Sequence, residues 1–302
     1  MASLYTNESR NIRKTWLMMG AFLVLVIAVG WVLAQYYGDS GILYIAVAFS
    51  LISNIGAYWF SDKVAIASVG AHPADEIEYK ELHRTVENLA ITAGLPKPKV
   101  YIIDDPAPNA FATGRNKEHA VIAVTTGLLG MMDRSELEGV IAHELSHVGN
   151  RDILVMTVAV VLVGFISVLA NIALRISYFG GESASRRREN RAGPIIAIAA
   201  LMAMILAPVA AQLIQLAISR KREFLADADG ALLTRYPEAL ASALAKIGSY
   251  KSPMQHASTT TAHLFISNPF GAHEAGKFVA NLFSTHPLIE ERIAALEGMR
   301  TS

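Results

Sequence analysis

The chain contains no cysteine. A disulfide framework, a thiolate nucleophile and thiolate metal ligands are therefore excluded, so any metal must be held by histidine, aspartate or glutamate. Charge is scarce as well. Only 17% of the 302 residues are Asp, Glu, Lys or Arg, and the 26 basic side chains balance the 26 acidic ones. With no basic excess there is no electrostatic footprint for a nucleic acid, and none is expected as a partner. Apolar residues take the place of charge, making up 53% of the chain, which is more than a soluble protein of this length carries. The composition points to a lipid bilayer.

Four apolar stretches approach membrane-spanning length: Thr15 to Gln35, Ile42 to Phe60, Ile153 to Leu174 and Pro194 to Ile218. The first is too long for the core of a cleaved signal peptide, and Leu33-Ala34-Gln35 offers no small-x-small cleavage site, so it reads as a retained anchor. Arg10, Arg13 and Lys14 precede it, whereas the connection from Tyr36 to Gly41 has no basic residue. The amino terminus is therefore expected in the cytoplasm, with the first two spans forming a hairpin. The third and fourth stretches pose a conflict. Arg175, Arg186, Arg187, Arg188 and Arg191 lie between them, where a full hairpin would put positive charge outside. Pro208 is expected to kink the fourth stretch, and Gln212 and Gln215 either to make contacts within a bundle or to line a wet cavity.

Between the hydrophobic pairs, residues 63–152 have a soluble composition. The spacing of Leu82, Val86, Leu89 and Ala90 predicts a helix from Glu76 to Ala93. Val100 to Ile103 and Ala120 to Val124 read as strands of a small sheet. The segment Asn109-Ala110-Phe111-Ala112 has two readings, an ordinary strand or an exposed edge that holds an extended peptide by backbone hydrogen bonds.

His143-Glu144-Leu145-Ser146-His147 carries the chemistry. On a helix, residues four apart share a face, so His143 and His147 can aim at one zinc ion. Glu144 can then take a proton from a water that the metal has acidified. Asp133 with Glu136, or Ser135 with Glu138, supplies a capping box that starts this helix about two turns earlier. A catalytic zinc needs three protein ligands. The metzincin pattern fails, because Asn150 and Ile153 stand where glycine and histidine are required. After the fourth apolar stretch, Glu223 and Asp227 lie four residues apart. Glu223 is the expected third ligand. Asp227 can accept the second N–H of a ligand histidine and fix its tautomer. Pro237 opens a helix to about Ile247, and residues 251–277 read as a long loop. Thr285-His286-Pro287 begins a last helix, where His286 serves either as a cap or as a donor to the oxyanion that develops on the attacked carbonyl.

Taken together, these pieces resemble the HtpX-type membrane zinc metalloproteases, which are related to the CAAX prenyl protease within the gluzincins. The resemblance covers nearly the whole chain: two amino-terminal spans, Asn109 to Gly114, His143 to His147, Glu223 with Asp227, and Thr285-His286-Pro287. It implies one Zn2+ held by His143, His147 and Glu223, with Glu144 as general base and Asp227 behind the ligands. It also implies a substrate-binding edge at Asn109, Ala110, Phe111 and Ala112, and substrate or oxyanion contacts from His286 and Arg292. The expected protein is a mostly helical membrane protein: an N-terminal transmembrane hairpin (1–62), a zincin-like α+β part with a small sheet (63–152), a second hydrophobic hairpin (153–218) and a C-terminal catalytic part (219–302). The expected function is proteolysis at the cytoplasmic face of a prokaryotic inner membrane, with misfolded membrane proteins as substrates in quality control. Two rivals stand beside it. An intramembrane protease of the site-two type would place the motif within an apolar span, yet Arg134, Glu136, Glu138, Arg151 and Asp152 flank it. A non-enzymatic zinc-binding scaffold would have no need of Glu144.

Overall fold

The computed structural model describes residues 4–184, 213, 219–255, 261–270 and 287–299. Three described helices are long and apolar enough to cross a membrane: Asn7–Tyr37, Gly41–Ser68 and Asp152–Ala170. They belong to helices α1 (Leu4–Tyr37), α2 (Gly41–Ser68) and α6 (Asp152–Ala184). Each runs beyond its apolar stretch. The apolar boundary marks where hydrocarbon would end, but the backbone ladder continues wherever polar side chains find partners. At the start of α1, Asn11 and Thr15 are buried and hydrogen-bonded. Arg175, expected in a loop, lies within α6. The fourth stretch, 194–218, lies outside the described residues apart from Leu213, as do Pro208, Gln212, Gln215 and the arginines at 186–191.

The three long helices pack through Met18, Phe22, Val26, Ala57, Val155, Val158 and Leu162, and Leu213 joins this cluster. Trp16, Val24, Trp31, Ile45, Ile52 and Trp59 face outward instead, as helices facing lipid on one side and protein on the other require.

The intervening part holds a four-stranded mixed sheet of β1 (His72–Pro73), β2 (Lys99–Ile103), β3 (Ala110–Thr113) and β4 (Val121–Thr125), in the order β1-β2-β4-β3. β2 and β4 are parallel, with Ile102 opposite Val124, and the outer pairs are antiparallel. The two-residue β1 is too short to leave a period in the sequence. Helix α3 (Lys80–Thr92) starts four residues later than expected. After α4 (Thr126–Met131) comes α5 (Arg134–Gly149), the central helix. The Asp133–Glu136 capping box forms, whereas Ser135 turns its hydroxyl to Asp133. Glu136 also receives Lys246 Nζ at 2.6 Å and Ser242 Oγ at 2.7 Å from α8 (Pro237–Ser249). Helices α7 (Arg220–Thr234) and α9 (Ile289–Gly298) complete the described set, α9 starting two residues beyond Pro287. Val86, Ile122, Val140, Ile141, Leu145, Leu240 and Leu244 form the core between sheet and helices.

Two glycines set how closely these helices approach. A Cβ on Gly139 would come within 3.0 Å of the Leu240 backbone nitrogen, and one on Gly230 within 2.9 Å of that of His143. Helix α7 therefore lies against α5 at the first histidine of the motif.

Candidate active site

Helix α5 turns His143, Glu144 and His147 inward, and all three are buried. Glu223 and Asp227, one turn apart on α7, face them across the contact that Gly230 permits. The two Nε2 atoms lie 3.2 Å apart, and Glu223 carboxylate oxygens lie 3.9 Å from His143 Nε2 and 3.7 Å from His147 Nε2. His143, His147 and Glu223 are the one cluster of histidine and carboxylate groups able to share a metal ion among the described residues. Each imidazole is tied at its other nitrogen. His143 Nδ1 is 2.9 Å from Asp227 Oδ1, and His147 Nδ1 is 3.1 Å from Asp152 Oδ2. A carboxylate only accepts, so each Nδ1 is the donor, and in the neutral imidazoles that metal binding requires both Nε2 lone pairs converge with the Glu223 carboxylate. Three electron-rich atoms buried at this spacing fit a cation. Tetrahedral nitrogen and oxygen ligands about 2.0–2.1 Å from one zinc ion lie roughly 3.3 Å from each other.

The carboxylates are themselves held. Asp227 receives a bidentate guanidinium from Arg292, with Nε at 2.8 Å and Nη2 at 2.6 Å. Arg292, at 0% exposure the largest fully buried side chain described, gives Nη1 to the Ile266 carbonyl at 2.9 Å. Asp152, the first residue of α6, receives Asn11 Nδ2 at 2.7 Å and lies 3.3 Å from Arg222 Nε. Asp152 was legible only as a charged residue flanking the motif. Its role as a partner of His147 comes from Arg151, whose φ of 57° turns the chain back between α5 and α6.

Burial, with the Glu223 carboxylate nearby, pushes Glu144 up to about 7, against the opposing effects of His147 and of the Ala112 N–H. Burial would lower His147, but Asp152 and Glu223 more than reverse it, to about 9. His143 stays below its usual value, because burial outweighs Asp227 and is reinforced by Arg292 and His147. Asp227 is also low, since Arg292 and His143 overcome the effect of burial. A divalent cation among these groups would favour deprotonated Glu144 and His147.

The expected edge strand lies beside Glu144, but it is covered. Thr125 N donates to Asn109 O, so by antiparallel alternation Ala110 and Ala112 turn their backbone groups to the outer edge. Ile266 N donates to Ala110 O at 2.9 Å, Asn109 Nδ2 donates to Ser267 O at 3.1 Å, and Phe265 stacks edge-on against Phe111. Residues 265–267 therefore occupy the Asn109–Ala110 end. His286 lies outside the described residues. Helix α5 is not among the three helices of membrane-spanning length.

Membrane-length helices beside a buried His-Glu-x-x-His helix and a third carboxylate define a membrane-anchored metalloprotease. The chain belongs to peptidase family M48, whose model matches residues 76–300. It is 49% identical over 300 residues to a protease HtpX homolog of Caldanaerobacter subterraneus subsp. tengcongensis, covering 98% of each chain. It is 48% identical over 286 residues to a protease HtpX homolog of Pyrococcus furiosus, covering 94% of each. In fold it resembles the crystal structure of S. mikatae Ste24p, with a TM-score of 0.51 and 19% identity over 97% of this chain and 66% of that one.

Proposed function

We propose that this metalloprotease is a zinc endopeptidase in which His143, His147 and Glu223 hold one zinc ion. The observation that carries this reading is the convergence of two Nε2 atoms and a carboxylate in a buried site, with both Nδ1 atoms already committed to carboxylates. Bound zinc would supply the Lewis acidity that polarises a peptide carbonyl and makes water more acidic. Glu144 takes a proton from the attacking water and passes it to the leaving amine as the C–N bond breaks. Helix α5, which carries Glu144, packs against β3, beside which a peptide added to that edge would pass. Extended substrate pairs with the outward groups of Ala112 and takes the place of Ile266 at Ala110. Asp227 and Asp152 fix the imidazoles. Arg292, bonded to Asp227 and to the Ile266 carbonyl, orients Asp227, and a contact with substrate is retained for it as well. His286 is retained as a donor to the oxyanion or to substrate.

The proposed substrates are misfolded membrane proteins, cut at the cytoplasmic face of an inner membrane. The basic residues before the first span support that orientation, and the resemblance to HtpX-type proteases supports the role in quality control. The test is cleavage of an unfolded protein by the full chain in detergent, loaded with zinc, against Glu144→Gln. Glu144→Gln should keep its zinc and lose about 10²–10⁴-fold in rate. Equal rates would remove Glu144 from the mechanism.

A further inference from the structure

The first membrane helix reaches the site itself. Asn11 of α1 sends its amide to two acceptors about 140 residues away, Asp152 Oδ1 at 2.7 Å and the Asn150 carbonyl at 2.9 Å. One turn earlier, Glu8 binds Arg151 at 2.8 Å and Lys117 at 3.1 Å. The amino-terminal end of α1 thus grips three successive residues of the turn that joins α5 to α6, including the left-handed Arg151. Asp152 is the only one of these whose side chain touches a metal-site histidine. Its Oδ2 faces His147 Nδ1, and its Oδ1 faces Asn11 and Arg222. A carboxylate held on both oxygens cannot rotate away from the imidazole without losing a partner.

Asn11 is 1% exposed, and its own Oδ1 has no hydrogen-bond partner among the described residues. An apolar side chain at this position would avoid that cost, so packing alone does not account for an amide here. Its orientation is not interchangeable either. Turning Oδ1 toward Asp152 would set two acceptors against each other.

We propose that Asn11 is a positioning residue for the metal centre, acting through Asp152 on His147, so that the membrane anchor forms part of the active site. The inference rests on the zinc reading above. Bracing a ligand's hydrogen-bond partner preserves metal affinity, and loss of such partners typically costs 10–100-fold. Asn11 stands one step further from the metal, so the lower end of that range applies.

The experiment is zinc affinity of the full chain in detergent, by competition with a chromophoric chelator, together with the visible spectrum of the cobalt-substituted protein. Wild type is compared with Asn11→Leu, Asn11→Ala, Asp152→Asn, His147→Ala and the Asn11→Leu/Asp152→Asn double variant. Asn7→Ala, one turn away and, among the described residues, bonded through its side chain to Arg10 alone, is the control for damage to α1. Asn11→Leu should weaken zinc binding about tenfold and alter the cobalt spectrum, while Asn7→Ala does neither. The double variant should bind zinc no more weakly than Asp152→Asn alone, because the amide acts through that carboxylate. Wild-type affinity in folded Asn11→Leu or Asn11→Ala would overturn the proposal, as would losses that multiply in the double variant. If Asp152→Asn and His147→Ala also leave zinc binding unchanged, the metal reading itself fails, which is a separate result.

Discussion

The two histidines of the motif are supported from opposite ends of the chain. His143 leans on Asp227, which is locked by Arg292 of the carboxy-terminal helix α9. His147 leans on Asp152, which is held by Asn11 of the first membrane helix and by Arg222 of α7. The first support is a fully buried bidentate ion pair. In the second, a neutral amide shares the carboxylate with a longer arginine contact. Both fix an imidazole, but the first uses a charge that cannot be left unpaired, whereas the second ties the site to the membrane anchor.

The widest separation between the two supports should come from Arg292→Met. It strands the Asp227 carboxylate in a buried site, so stability should fall by about 3–5 kcal/mol, measurable by chemical denaturation in detergent. A loss below about 1 kcal/mol would mean that water already reaches Asp227. Gly230→Ala sharpens the contrast further. The new methyl meets the backbone of His143 and Ala142, so about 1–3 kcal/mol should be lost, and zinc affinity should fall through displacement of Glu223 and Asp227. Unchanged zinc affinity would show that α7 can shift without opening the site.

Glu136→Gln acts on the foundation common to both supports, the start of α5, and should leave zinc affinity alone while costing about 1 kcal/mol at neutral pH. Burial raises Glu136, but the donors Lys246, Ser242 and the Asp133 N–H outweigh it and hold its pKa below 4.5 in the folded protein. The stabilisation is therefore fully present above about pH 4.5 and is lost as pH falls through the lower folded value. The stability gap between wild type and Glu136→Gln should close in acid, and a constant gap across that window would contradict the account.

Much of the first support was legible in the sequence. His143 and His147 announce themselves by spacing, the Asp133 capping box fixes their helix, and Asp227 follows Glu223 at one turn. The second support was not legible. Asp152 becomes a partner of His147 only through the left-handed Arg151, and Asn11 sits in a polar lead-in that hydropathy leaves outside the first span. No periodicity records a contact across about 140 residues. The covered edge strand was hidden for the same reason, since Phe265 and Ile266 belong to a segment that composition marks only as loop. Among the elements themselves, the long helices were found by their apolar runs but extend past them, and at the start of α1 the polar residues Glu8 and Asn11 find partners at Lys117, Asn150, Arg151 and Asp152.

The most direct test of the account is anomalous X-ray scattering at the zinc edge from crystals of the full chain. The account predicts one strong peak per chain, within bonding distance of His143 Nε2, His147 Nε2 and the Glu223 carboxylate. A zinc peak elsewhere, with none between those three side chains, would contradict it.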